Sequence, residues 1–505
     1  MSAASPLLRG TGPRGGFRAG AYRVLAYALF IATSFTIAGS ETGIILMMGV
    51  ALSDPALWHW LRRGNPPAGL PYGGQSPPAW IPGALVALVA LALVSAALNP
   101  GTLGTLDHMR FHYRVFLPLV LLLALPRVAL PRLLGTFAGF VALWGLYGAV
   151  QYRFGVDWFR SEGHKLIRPF RPYGEDVGVF HAQGQFTHHI TYGGVMLMAT
   201  LLLLALATGR QGTRRGGAGA GAAGAKEGLG LRALWGLGAA CGALGTVLSL
   251  ARSAWFGMAL GLLVLGLLRL PRRWALPLSA LAILVVGGYA MLALQDGWLE
   301  THVLGADSPA LLERLVHTSP RYDVDRVRMW QAGWLGVQDR PWFGAGMGNA
   351  GTVLEPYRSA IEQRYRYRYM LDAGAGVHNI YLQVAFDLGA FGLAAYLAVW
   401  AAIFVWSARS LRALRAGHPG AALPGADLYR AVIEGAVAGL AGSMAAGLFE
   451  NNAYDKEVQQ LILMLMGLAL YAGLRIRAAA GPRGVRWGAR LYPNYAGVLP
   501  GPPRT

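Results

Sequence analysis

The chain has 505 residues, 54% of them hydrophobic and 13% charged, with a mean hydropathy of +0.41. Soluble proteins carry about 25% charged residues, so the composition excludes an ordinary soluble globular fold. Apolar runs of about 18 residues or more recur along the chain and place it in the polytopic membrane class.

The secondary structure in lipid is expected to be helical, because every backbone group needs an internal partner there. A transmembrane barrel would need alternating segments of about ten residues, and the runs here are continuous and longer. The formal net charge is +20, from 44 basic and 24 acidic residues. In a soluble chain that charge would suggest nucleic acid. Here much of it lies in short loops between apolar runs, where basic residues set orientation, and no nucleic-acid partner is expected. Cys241 is the single cysteine, which excludes an intrachain disulfide and a cysteine metal site.

In chain order, residues 1–21 are rich in Gly, Pro and Arg and read as a disordered cytoplasmic N-terminus, followed by a retained first helix rather than a cleaved signal. Twelve spans are expected, at 22–38, 41–57, 82–98, 111–128, 134–151, 188–208, 232–250, 252–269, 276–295, 380–407, 428–448 and 458–475. The organisation is nine spans over 22–296, a large polar loop at 297–379, three spans over 380–475 and a cytoplasmic tail at 476–505. Within the first block, 152–187 is a second polar loop and 209–231 a Gly/Ala-rich linker.

With the N-terminus in the cytoplasm, the short connections on that side are all basic, as the positive-inside rule asks. They carry Arg62 and Arg63, Arg127 and Arg132, Arg269, Arg272 and Arg273, and Arg409, Arg412 and Arg415. Both termini are then cytoplasmic, and both polar loops lie on the opposite side together with a tract around Glu450 and Asn451.

Candidate chemistry gathers where the 297–379 loop meets the membrane. Arg252 stands between two apolar spans on the outer side, either as a snorkelling side chain or as an anion-binding arginine. Arg326 and Arg328 offer guanidinium forks suited to phosphate oxygens, with Asp323 and Asp325 as ordinary pairing partners. The turn Gly344-Ala345-Gly346-Met347-Gly348-Asn349 lacks the Lys-Ser/Thr of a P-loop and is read as a close backbone approach. His378 can take a proton from a sugar hydroxyl near physiological pH, or can be a helix-start histidine without a role. Asn379 can orient a substrate or cap the helix that begins at Ile380. The 152–187 loop and the next span start supply Arg168, Arg171, His181, Gln185, His188 and His189, a weak metal pattern, so no metal is expected. The run Arg364-Tyr365-Arg366-Tyr367-Arg368-Tyr369 reads as a strand whose surface suits phosphorylated headgroups or carbohydrate.

Together these stretches resemble the bacterial O-antigen ligase family, within the wider ligase/polymerase superfamily. The resemblance rests on His378-Asn379-Ile380-Tyr381-Leu382 followed by Gly389 and Gly392, on Pro341 to Asn349, on Arg328 with Trp330, on Leu250-Ala251-Arg252-Ser253-Ala254, and on Gly184 to Gly193. At Ile190 the family commonly has asparagine, and Ala251 and Ser253 replace the usual neighbours of the arginine.

The resemblance implies an all-α polytopic protein of about 12 transmembrane helices with a large periplasmic loop and a GT-C-like architecture. It implies a glycosyltransferase of the bacterial inner membrane, with its active site on the periplasmic face. Polysaccharide would pass from undecaprenyl-pyrophosphate-linked O-antigen to lipid A–core oligosaccharide, with inversion and without metal or other cofactor. The same motifs fit an O-antigen polymerase or a protein (pilin) ligase. A transporter would need polar groups at mid-bilayer, for which Glu434 is the nearest candidate. His378, Arg252 and Arg328 would be catalytic, with Arg252, Arg328, Arg168 and Arg171 on the pyrophosphate and Asn379, His188, His189 and Tyr381 positioning substrate. Membrane lipids would surround the bundle.

Overall fold

In a computed structural model the structure describes residues 13–32, 37–67, 70–72, 74–99, 112–159, 167, 169–170, 178–209, 222–274, 277, 320–369, 376–415 and 425–479. Regular structure among them is helical, with an isolated antiparallel bridge between Pro169 and Phe180. The helices are α1 (Pro13–Ala32), α2 (Ile37–Leu52), α3 (Pro55–Arg63), α4 (Trp80–Leu98), α5 (Leu117–Ala124), α6 (Leu130–Phe154), α7 (His189–Ala207), α8 (Ala222–Leu248) and α9 (Arg252–Arg269). After them come α10 (Pro320–Asp339), α11 (Glu355–Tyr365), α12 (Ile380–Arg415), α13 (Ala426–Ala446) and α14 (Lys456–Ala479).

Seven of the described helices are long and apolar enough to cross a membrane, or eight if the pair Glu41–Leu52 and Pro55–Arg63, bent by 67°, is one span. The expected count of twelve is not confirmed, for local reasons. Helix α1 carries Arg14, Arg18 and Arg23, and α13 carries Asp427, Arg430 and Glu434. The apolar run at 111–128 folds as the eight-residue α5 between two 3-10 turns. The span expected at 276–295 lies almost wholly outside the described residues.

Helices α7 and α14 form the centre of the bundle, each with 83% of its apolar window buried, whereas α4 buries 22% and turns most of its surface outward. Helix α13 packs between α7 and α9. The α9–α13 contact closes at Gly257 and Gly442, where a Cβ on either would lie within 2.6 Å of the other's carbonyl oxygen. Small residues let helix backbones approach this closely where both neighbours are apolar.

Helix α9 also fixes a length scale. Arg269 at its far end pairs with Glu434 at 2.8 Å and donates to the Ala205 carbonyl at 2.7 Å. Arg252 opens the same helix, about 26 Å away at 1.5 Å per residue. That separation is close to the thickness of a hydrocarbon core. Glu434 is therefore neutralised at one boundary of the bundle, and Arg252 lies at the other.

Helix α12 is broken at Gly389 (φ 70°, ψ −170°). The turn after α10 fills the break. The amides of Ala345 and Gly346 donate to the carbonyls of Phe386 and Asp387 (2.8 and 2.9 Å), and the amide of Ala390 donates to Pro341 (2.7 Å). A Cβ at Gly389 would sit 2.2 Å from the Trp342 carbonyl carbon, and one at Gly344 would sit 2.4 Å from that of Asp387. The Gly-rich turn thus makes the close backbone approach expected of it, onto the chain's own helix. Ser95 and Asn99 at the end of α4 donate to the Asp387 and Gly344 carbonyls. Gly389→Ala is expected to lower folded yield in detergent and to cost more than about 2 kcal/mol, because it adds both a glycine-only backbone conformation and a clash. An unchanged melting temperature would contradict this.

Candidate active site

The re-entry of the polar loop into α12 is held by the last turn of α13 and the two residues after it. The Ile380 amide donates to Gly447 (2.8 Å), the Asn379 side-chain amide to Leu448 (3.0 Å), and the Tyr381 hydroxyl to Met444 (2.8 Å). Asn379 also caps α12, its Oδ1 accepting from the amides of Tyr381 and Leu382 at 3.1 and 3.0 Å. Of the two sequence readings of Asn379, the cap is the one seen. Tyr381 is likewise engaged with backbone.

These contacts place His378 in a left-handed backbone conformation (φ 52°), uncommon for a residue other than glycine. Its Nδ1 lies 2.8 Å from Oε2 of Glu450. Its Nε2 is buried with no hydrogen-bond partner among the described residues. The other carboxylate oxygen of Glu450 accepts from the Arg326 guanidinium. Trp330 on α10 donates from its indole to the His378 carbonyl at 3.3 Å. Imidazole, carboxylate and guanidinium thus form a chain that ends at Nε2, buried and without a partner among the described residues.

Burial of Glu450 pushes its carboxyl up, but Arg326 and His378 outweigh that, and the group sits below the ordinary glutamate range. Asp455 shows the opposite balance. Burial, with Glu457 and Glu450 adding to it, pushes its carboxyl up to about 6, against the hydrogen bond from Thr191 at 2.5 Å. A raised carboxyl contributes stability below its unfolded value, about 3.9, and loses it as pH rises through about 6. Asp455→Asn is therefore expected to raise the melting temperature more at pH 8 than at pH 5. Equal shifts at both pH values would contradict the assignment.

Arg252 stands at the same end of the bundle. Leu250 takes a left-handed conformation (φ 56°) and turns the chain from α8 into α9. One turn into α9, Phe256 packs edge-on against Phe449, the neighbour of Glu450, with ring centroids 5.5 Å apart. A Cβ on Gly193 of α7 would lie 2.8 Å from the Ser249 hydroxyl, so the first turns of α7 and α9 adjoin. His188 caps α7, its Nδ1 accepting from the Ile190 amide at 3.3 Å, and it feels the Glu450 charge. The rings of His181, His189 and His188 follow one another at 4.4 and 4.5 Å. No group of three or more His, Cys, Asp or Glu among the described residues is arranged to hold a metal ion.

Arg328 and Arg326 divide their roles differently from the sequence reading. Arg328 lies 3.4 Å over the Tyr365 ring and donates to Gln331 at 2.9 Å, while its Nε is buried without a partner among the described residues. Arg326 takes Glu450, and Asp325 is buried and accepts from the Tyr367 hydroxyl. The Arg-Tyr run at 364–369 is not a strand. Helix α11 ends at Tyr365, Arg366 forms a left-handed cap (φ 49°), and Tyr365, Tyr367 and Tyr369 meet Arg328, Asp325 and Arg358 in turn. Arg168 and Arg171 lie outside the described residues.

Sequence reasoning missed Glu450 as a site residue. The signal was a carboxylate just past the end of an apolar span, in a chain with a histidine at another span start whose second ring nitrogen needs a partner to fix its tautomer.

A multi-spanning helical membrane protein with a histidine–carboxylate–arginine chain at one boundary is the class that fold and site define. Residues 237–397 match the family model described as O-antigen ligase, so the chain carries an O-antigen ligase family domain. That segment contains Arg252, Arg326, Arg328 and His378, whereas Glu450 lies beyond it. No curated protein matches the chain.

Proposed function

We propose that the protein transfers a polysaccharide from undecaprenyl pyrophosphate to lipid A–core oligosaccharide on the periplasmic face of the bacterial inner membrane, without metal and with inversion. The observation that carries this reading is His378, tethered through Nδ1 to Glu450 with Nε2 unpartnered among the described residues, inside the segment that matches the ligase family. Nε2 accepts the proton of the acceptor hydroxyl. The hydroxyl oxygen attacks the anomeric carbon, and the bond from that carbon to the pyrophosphate oxygen breaks. The lipid pyrophosphate leaves with the bonding pair, and its growing charge is offset by Arg252 and Arg328. Glu450 fixes the tautomer and stabilises the charged imidazole that forms. The donor's energy lies in the pyrophosphate ester, so no nucleotide is needed.

Purified protein given undecaprenyl-pyrophosphate glycan and lipid A–core in chelator-containing buffer should yield a ladder of glycosylated lipid A–core. Absence of product from folded wild-type protein would overturn the reading, and so would full activity in Arg252→Ala and Arg328→Ala together. In cells, loss of all O-antigen from lipid A–core on deletion supports a ligase, whereas retention of one repeat unit would assign a polymerase instead.

A further inference from the structure

A cavity of about 610 Å³ opens at the outer end of α4, remote from the imidazole. It is lined by Leu98, Asn99, Asp339, Arg340, Trp342 and Val353 among others. From Trp330, which touches His378, α10 runs nine residues to Asp339, about 14 Å along the axis. The indole of Trp342 is 60% exposed, stacked on Phe391 with centroids 5.5 Å apart. Around it stand a guanidinium, a carboxylate and an amide. Arg340 donates to the Asn99 side-chain oxygen at 2.7 Å, and Asp339 accepts from the Tyr357 hydroxyl at 2.8 Å. A flat ring face beside planar side chains of both hydrogen-bonding senses suits a sugar, whose C–H face is apolar and whose rim is hydroxyls. A cavity for acyl chains would not need a guanidinium and a carboxylate in its lining.

We propose that this cavity is a saccharide subsite for the acceptor glycolipid, holding its membrane-proximal sugars while the distal sugar reaches His378. The inference rests on the glycan-transfer reading above. The acceptor is chosen over the donor by position. The exposed apolar face of α4, with Val86, Leu93, Val94 and Leu98, leads into the cavity, so a ligand anchored in the bilayer arrives along it. The donor must present its first sugar and pyrophosphate at His378 itself, beside the opening turn of α9. The two glycolipids then approach from different sides of the bundle and do not compete.

The test measures binding to wild-type, Trp342→Ala and Arg340→Ala proteins in lipid nanodiscs, with lipid A–core and undecaprenyl-pyrophosphate glycan as separate probes. Both variants should weaken lipid A–core binding by about tenfold and leave donor binding unchanged, and Trp342→Tyr should recover much of the loss. Core oligosaccharide freed of its lipid should compete with lipid A–core on the wild type. Variants that bind lipid A–core like wild type, donor binding that falls in parallel, or free core that fails to compete would each overturn the subsite. If wild-type protein binds neither probe, the glycan-transfer reading falls first and the subsite with it, which separates the two failures.

Discussion

His378→Ala is expected to lower transfer by about 10²- to 10⁴-fold, the usual worth of a positioned general base. The side chain is 17% exposed, and the Trp330 indole holds the backbone carbonyl of His378, which the substitution keeps, so the variant should still fold. The expected loss lies in kcat, with acceptor and donor KM nearly unchanged, because the proton transfer belongs to the transition state. Wild-type transfer should also fall as pH drops, because a charged imidazole cannot take the acceptor's proton. The carboxyl of Glu450 is held below the ordinary range by Arg326 and His378 in spite of burial. Its contribution to stability is therefore full above about pH 4.3, the unfolded glutamate value, and is lost only as pH falls through its depressed value. Retention of more than about a tenth of wild-type kcat in His378→Ala would remove the general-base role.

The second large effect is expected at Glu450. Glu450→Gln keeps the shape but replaces the acceptor of the His378 proton with a group that can donate, so the imidazole can adopt the wrong tautomer. Loss of an orienting carboxylate in this arrangement costs on the order of 10²- to 10⁴-fold in kcat. Glu450→Ala should add a stability loss, because Arg326, 25% exposed, is left beside a buried gap without its partner. Arg326→Ala should cost less activity than Glu450→Gln, since the His378–Glu450 bond survives it. Equal activity of Glu450→Gln and wild type would show that Glu450 only supports the fold. A melting temperature measured alongside kcat separates the two effects.

The all-helical class and the boundary position of the site were legible in the sequence, because both follow from where long apolar runs stop and polar residues begin. His378 stood out because an ionisable group at a span start is costly without a purpose. The span count was less legible. Arginines within α1 and the charged turns of α13 blur what composition alone can assign, and the apolar run at 111–128 proved to be the short, interrupted α5. The pairing of side chains was not legible at all. Asp325 follows Asp323 and precedes Arg326 in the chain, yet it binds Tyr367, while Arg326 reaches 124 residues forward to Glu450. Such contacts are set by how the loop helices settle on the bundle, and no local pattern encodes them. The tyrosines of the Arg-Tyr run show the same thing, since alternation along the chain suggested a flat ribbon and the left-handed Arg366 breaks it.

The backbone hydrogen bonds between Pro341–Gly346 and the break in α12 bear on how this protein can be recombined. Exchange of the polar loop with a relative's, cut at the membrane boundary, would separate this turn from the helix whose break it fills. Chimeras that exchange this region should therefore carry 320–392 as a single cassette, with the α4 terminus that fastens it, and cuts inside that stretch should lower folded yield.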